Sequence, residues 1–425
     1  MFTTQQLDRK RRELEEEISE ICMAGTDLVP TTEGKVRILE IGDWIKRASH
    51  GRNEVLFDKA GRVHIMVNFF CDEKARLDYL SNNNTLFNSA DSTLQDNIHP
   101  AFIIENSPIK GFRLAKYLMP RYNGKNYVAS LYGMSPAWGS GGFSVSTTGS
   151  IQACYDSNSK TTNPDGIELH LETDAEYSFL QLLGARRAFE CHGNTTYGKY
   201  HADSTEVGQP AEYVYSGNHR DAQSRTGTGP LTWYHDGTPW GVADLVGNMY
   251  DWCNGFRVKG GELQFLPNND GAKKGWTPSD FSSSSTKWKA LKEDGTFVDI
   301  DGTEATYKFD YLADITSGSA SFCIATSLEH QQTSSSSYGS VALKNMTIRD
   351  GVTVNAYLRA TGHAPLLANT PNGQAYMRNT AGTVCACGRG GNWSDGSSAG
   401  LSCAYCYSSL TYTYYYCSAR SASLI

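Results

Sequence analysis

The chain has 425 residues and a formal net charge of -7, with 39% hydrophobic, 20% charged and 11% aromatic residues. A negative balance gives no general attraction to phosphate backbones or anionic lipid, so neither nucleic acid nor a membrane surface is an expected partner. The length exceeds what one core usually organises, and the abundance of Gly and Tyr suits a folded, loop-rich protein, so a small N-terminal helix-plus-β module and one large domain are expected, both of α+β class.

Residues 1–25 begin MFTTQQLDRKRRELEEEISEI, a charged helical stretch rather than an apolar leader. No later run approaches the roughly 20 apolar residues of a membrane span, which predicts a soluble product of the cytoplasm. Leu7, Leu14 and Ile21 recur every seven residues with Ile18 between them, giving the helix one apolar stripe. That stripe either packs on its own domain or forms a short oligomerising coiled coil; separately, a homo-oligomer, with a trimer suspected, is among the expected partners. Arg11 on the seam and fewer than ~3 heptads argue for the first. From Lys35 to Phe70 the runs VRIL and VHIMVNFF, separated by Gly turns, predict a β-rich module over 26–97 that closes in a polar linker, SNNNTLFNSADSTLQDN at 81–97.

The large domain is expected over 98–425. HPAFIIENSPIKGFRLAKYLMP reads as a short strand followed by an amphipathic segment carrying Ile109, Phe112, Leu114, Tyr117 and Leu118. Further on, Thr173 and Glu176 have the spacing of a capping box, with Tyr177, Leu180, Leu183 and Phe189 on or near one helical face. In GVADLVGNMYDW (241–252) Gly241 and Gly247 permit backbone conformations closed to other residues, Asn248 bonds local backbone, and Trp240, Leu245, Met249 and Trp252 supply buried area. Asp244 and Asp251 read there as turn and cap residues. A Ser, Gly, Asn and Asp-rich stretch at about 255–350 reads as an insertion with two hairpins, VKGGELQFLPNND and KALKEDGTFVDIDG, and with flexible tips at the SSSS runs 282–285 and 334–337.

Eleven Cys is an odd count. Cys22, Cys71, Cys154, Cys191, Cys253 and Cys323 are scattered singly and are expected reduced and buried, while Cys385, Cys387, Cys403, Cys406 and Cys417 crowd near the end. His170, His192, His201, His219, His235, His330 and His363 lie apart without metal-ligand spacing, and no phosphate loop is present, so no metal and no cofactor are expected.

The last segment carries the strongest functional signal. After RGGNW, residues 402–417 read SCAYCYSSLTYTYYYC. Tyr offers a rigid ring, a hydroxyl and only two torsions to freeze, and Ser adapts its hydrogen bonds at little steric cost, which is the chemistry of antibody loops. The plainer alternative is a strand pair with aromatic cross-strand contacts. The candidate contact residues are Ser394, Asp395, Ser398, Ser402, Cys403, Tyr405, Tyr407, Ser408, Tyr412, Tyr414, Tyr415 and Tyr416. Arg389, Gly390, Gly391, Trp393, Gly400 and Arg420 read as fixed framework.

From about Pro100 to Ile425 the chain resembles the formylglycine-generating-enzyme-like branch of the C-type lectin fold. FIIENSPIKGFRLAKYL resembles its opening strand and helix, and LETDAEYSFL its Leu-Pro-Thr-Glu-x-Glu-Trp helix. GVADLVGNMYDW resembles its Gly-Leu-x-Asp-Met-x-Gly-Asn-x-x-Glu-Trp motif, CACGRGGNWSDGSSAG its Arg-Gly-Gly-x-Trp element, and Ala419-Arg420 falls at its closing Gly-Phe-Arg. The Tyr, Ser and Cys bias over about 389–420 resembles the variable region of diversity-generating retroelement proteins, among them phage tropism determinants, in which AAY codons are randomised at adenines. That scheme excludes Lys, Glu, Gln, Met and Trp, and none of the five occurs from Ser394 to Ser418. The resemblance implies a non-catalytic receptor binder of a phage or prophage tail, made in the bacterial cytoplasm and carried in the virion, with a bacterial cell-surface protein or glycan and other tail proteins as partners. One rival is a copper oxidase, since the enzymes of that branch use two Cys near the C-terminus; but Cys403 and Cys406 enclose two residues where the enzymes enclose four. The other rival is a structural virion part without a recognition role.

Overall fold

The computed structural model describes residues 3–72, 98–138, 144–145, 148–211, 222–300, 304–315, 319–333 and 338–425. The expected linker at 81–97, the tip at 334–337 and His219 lie outside the described residues. Among the described residues five α-helices, α1 Thr4–Met23, α2 Thr32–Ala48, α3 Ser150–Asn158, α4 Asp174–Arg187 and α5 Ala356–Ala360, accompany the strands. Two main sheets are built from β1 Asn53–Phe57, β2 Val63–Phe70, β3 Gly111–Ala115, β4 His170–Leu171, β5 Tyr250–Lys259, β6 Glu262–Phe265, β7 Lys308–Tyr311, β8 Phe322–Ala325, β9 Tyr338–Ala342, β10 Gln374–Met377, β11 Val384–Arg389, β12 Ala404–Cys406, β13 Cys417–Ala419 and β14 Ser421–Leu424, with further short strands. The protein is thus α+β, as expected.

Helix α1 opens with a capping box between Thr3 and Gln6. Its stripe of Leu14, Ile18 and Cys22 is covered by Ile38, Ile41 and Ile45 of α2 and by Val63, Ile65 and Tyr117. The coiled-coil alternative is therefore corrected: this chain itself covers the seam, and Arg11 sits fully buried on it. A second correction concerns VRIL (36–39), expected as an apolar run of a β-rich module. VRIL is the middle of α2, because Ile38, Ile41 and Ile45 continue at helical spacing on one buried face, Thr31 caps Gly34, and Lys46 and Arg47 close the last turn. Reading four apolar residues in isolation hid that period.

A third correction lies at 109–118. The amphipathic segment, compared above with a strand and helix, is the extended strand β3, in which Phe112 and Leu114 share one face of the pleat and are buried. β3 lies between β2 and β14 in a sheet of order β1-β2-β3-β14-β4, so strands from both expected units and the chain's last strand form one surface.

The larger sheet, of thirteen described strands, runs β9-β10-β12-β11-β5-β6-β7-β8, with Ser319–Ala320 and Thr347–Ile348 at its edges. Both expected hairpins are present, β5 with β6 and Lys289–Leu291 with Phe297–Val298. The stretch read as an insertion thus supplies β6 to β9, which continue the sheet on either side. At its centre β5 pairs antiparallel with β11 and parallel with β13. This places Trp252 between them at 0% exposure, and Trp393 is 5% exposed. Among the described residues no helix is long and apolar enough to cross a membrane.

The loop before β5 takes the left-handed conformations its residues permit, but its side chains bond backbone of a distant loop instead of the local backbone expected of Asn248. Gly247 has φ 68°, and an added Cβ would stand 2.1 Å from the Asn194 carbonyl oxygen, so only Gly fits. Asn248, also left-handed at φ 60°, accepts from the Ser224 N–H at 2.9 Å and donates back to the Ser224 carbonyl at 3.0 Å. Asp244 accepts from the Gly227 N–H at 2.7 Å, a bond to another loop rather than the local turn contact expected. Asp251 differs: it accepts from Arg420 Nε at 2.9 Å rather than capping an element.

Candidate functional site, a tyrosine face at the end of the chain

Between β12 and β13 the chain forms an irregular excursion over residues 407–416, anchored at both ends. At its start the Ala386 N–H donates to the Ser408 carbonyl at 2.9 Å; at its end Gln223 Nε2 donates to the Tyr415 carbonyl at 2.6 Å and the Tyr250 N–H to the Tyr416 carbonyl at 2.8 Å. With these anchors Tyr407, Tyr412, Tyr415 and Tyr416 are half-buried and Tyr414 is exposed at 38%. The rings of Tyr412, Tyr414, Tyr415 and Tyr416 form one continuous array, and Tyr407 connects to it through the buried Tyr405 ring, which lies 4.3 Å from Tyr407 and 6.5 Å from Tyr412. Tyr414 lies 4.2 Å from Tyr415, 4.6 Å from Tyr416 and 5.8 Å from Tyr412, the last nearly parallel at 11°. Tyr415 stacks on Trp393 at 6.0 Å, which links the array to the RGGNW element.

The hydroxyls are partly engaged with one another: Tyr412 and Tyr416 hydroxyls are 2.8 Å apart. Burial holds the phenols of Tyr412 and Tyr416 above their ordinary pKa, so both stay protonated donors at neutral pH. Few charges flank the face; Arg378 lies over the Tyr407 ring at 5.7 Å. Such a surface offers large apolar area edged with neutral hydroxyls.

The candidate residues divide by depth. Ser402, Cys403, Tyr405 and Ser408 are buried, and this corrects their reading as contact residues. Ser402 accepts from Gln181 Nε2 at 2.9 Å, Ser408 donates to the Tyr405 hydroxyl at 2.8 Å, and the Tyr405 ring packs 4.5 Å from Tyr250. Tyr405 is sealed because its strand β12 is flanked on both sides by β10 and β11, while Ser402, Cys403 and Ser408 lie just outside the strand and are buried at its two ends. Ser394 is exposed and Ser398 and Asp395 half-buried, but Asp395 is committed to a turn, accepting from the Asn392 N–H and Nδ2, each at 2.9 Å. The framework reading of Arg389, Trp393 and Arg420 agrees with their burial.

Two aromatic residues outside the expected region join the face. Tyr338, on β9, stacks on Tyr407 at 4.7 Å and 12°, and Tyr376, on β10, lies 6.2 Å from Tyr407. Nothing local in YGSVA or QAYM marks them; sheet order alone brings them beside the end of β12.

Cys403 and Cys406 do not form a pair. Cys403 belongs to the core around Trp252 and Ala419, and Cys406 to the opposite core around Phe256 and Ile324. Cys406 instead donates to Cys387 at 3.3 Å between sulfurs. Among the described residues no group of three or more His, Cys, Asp or Glu is placed to hold a metal ion. Glu172 comes beside Asp251 around Arg420, a carboxylate pair the sequence did not suggest, but the three are closed from solvent at 0%, 1% and 0% exposure. One cavity of about 320 Å³ lies between α3, β4 and Trp276, and a second of about 210 Å³ is lined by Phe189, Glu190, Tyr200, His201 and Leu401. Neither is lined by Glu172, Asp251 or the Tyr face. Compared with protein-family models and with curated proteins, the chain matches none.

Proposed function

We propose that the chain is a recognition protein that contacts its target through the Tyr face at 407–416, and that it is not an enzyme. The observation that carries this reading is the separation of roles by depth: Tyr412, Tyr414, Tyr415 and Tyr416 reach solvent as one array with Tyr407 half-buried near it, while Trp393, on which Tyr415 stacks, and the framework residues Arg389 and Arg420 are buried. A rigid base under an adaptable aromatic layer keeps the ordering cost of binding low. In this reading the scaffold is C-type-lectin-like and of the formylglycine-generating-enzyme-like branch, and the face is the variable region of a diversity-generating retroelement protein. The protein then sits on a phage or prophage tail, attached to other tail proteins, and its target is a protein or glycan of the bacterial surface.

The copper-oxidase alternative loses its motive, since Cys403 and Cys406 point into different cores. A purely structural virion role would require the Tyr face to be covered by a neighbouring subunit.

The test is adsorption of purified protein to candidate bacterial cells, wild type against the variant Tyr407→Ala, Tyr412→Ala, Tyr414→Ala, Tyr415→Ala, Tyr416→Ala, with circular dichroism to check folding. Anchors of this kind cost more than about 2 kcal/mol each, so affinity should fall by at least about thirty-fold. Undiminished adsorption of the folded variant would place recognition elsewhere and reject the proposal.

A further inference from the structure

We propose that Cys387 and Cys406 are an oxidation site, at which a peroxide converts the two thiols to a disulfide that fastens the strands framing residues 388–405. The inference is independent of what the Tyr face binds. It begins with register: β11 and β12 pair antiparallel with Gly388 opposite Tyr405 and Arg389 opposite Ala404, so one step further Cys387 faces Cys406. Their sulfurs are 3.3 Å apart and both residues are buried, at 0% and 1% exposure. A disulfide requires about 2.05 Å between sulfurs and a Cβ separation near 4 Å, while directly opposed strand residues have Cβ atoms about 4.5–5.5 Å apart. Closure therefore asks for a shift of order 1 Å within one strand pair.

The chemistry balances with hydrogen peroxide as oxidant. One sulfur attacks a peroxide oxygen; an S–O bond forms, the O–O bond breaks, and one water leaves, giving a sulfenic acid. The second sulfur attacks the first; the S–S bond forms, the S–O bond breaks, and a second water carries off the remaining thiol hydrogen. The two sulfurs together lose two electrons and the peroxide gains them. Burial holds the Cys406 thiol above its ordinary pKa, so the reaction is slow in the closed protein and proceeds through local opening. β12 is only three residues long and is followed by half-buried Tyr407, which makes this the end that opens. The competing partner is Cys253, which faces Cys387 from β5.

The experiment treats purified full-length protein with hydrogen peroxide, blocks remaining thiols by alkylation, and maps peptides without reduction. A peptide joining Cys387 to Cys406, lighter by two hydrogens, is expected, together with a higher melting temperature that dithiothreitol reverses. Cys253→Ser should keep the cross-link, and Cys406→Ser should abolish both it and the thermal response. Should Cys406→Ser fail to fold, the wild-type map decides alone. A Cys253–Cys387 link, or sulfinic acid at Cys387 and Cys406 without any link, would overturn the proposal.

Discussion

Arg389 Nε donates to Asp174 Oδ1 at 2.8 Å across 215 positions of sequence, and this bond joins the element beneath the Tyr face to the first residue of α4. Asp174 also accepts from His363 Nε2 at 2.7 Å, and Arg389 donates to the Thr361 carbonyl at 3.0 Å. All three side chains are buried, so the carboxylate is the counter-charge on which the guanidinium depends. Asp174→Ala should cost about 3–5 kcal/mol in urea unfolding, because it leaves a buried charge unpaired. Asp174→Asn keeps one acceptor and should cost less. Equal, small effects would mean that water reaches Arg389.

Tyr405 and Tyr414 should behave oppositely despite their common composition. Tyr405 is 3% exposed and packs on Tyr250, so Tyr405→Ala should lower stability by about 3–5 kcal/mol. Tyr414 is 38% exposed, and Tyr414→Ala should leave stability within about 0.5 kcal/mol while weakening adsorption to cells. Paired thermal melts and adsorption assays separate the two.

Asp244 gives a pH signature. Burial raises its pKa to about 6, partly offset by the Gly227 N–H, so the native state binds its proton more tightly than the unfolded chain does. The stabilisation is present below the ordinary carboxylate range and is lost as pH rises through about 6. Asn suits the left-handed φ of 57° at this position and carries no charge. Asp244→Asn should therefore gain on wild type progressively between pH 4 and 6, by about 3 kcal/mol, and hold a constant difference above. A difference independent of pH would show that Asp244 titrates normally.

Glu15 holds the N-terminal helix onto the body. It accepts from Arg11, from Lys116 Nζ at 2.9 Å and from the Tyr117 hydroxyl, all fully buried. Glu15→Leu should destabilise by about 3–5 kcal/mol, and adding Lys116→Met should recover part of that loss by removing one unpaired charge. Additive costs in the double variant would contradict the network.

The retroelement reading makes a genetic prediction. Sequencing around the gene should find a near-copy of the coding segment for residues ~389–420 that differs almost only at its adenines. Differences spread over all four bases would refute diversification.

What the sequence by itself determined are features whose cause is local. The capping box at Thr173 and Glu176, the left-handed Gly247 and Asn248, the Gly260-Gly261 hairpin and the inward Trp252 follow from spacing, side-chain reach and missing Cβ atoms. The concentration of Tyr near the end was equally legible. The tertiary structure decided which of them face outward. Tyr405 and Tyr407 differ by two positions, yet one is sealed and the other half-buried, because Tyr405 lies within a strand bounded by β10 and β11 while Tyr407 follows its end. The same long-range pairing brought Tyr338 and Tyr376 into the face, set Cys406 against Cys387 instead of Cys403, and gave Arg11 the partners that let a charged residue occupy a buried seam. Such neighbours come from strand order and helix docking over separations of tens to hundreds of residues, which no local pattern encodes.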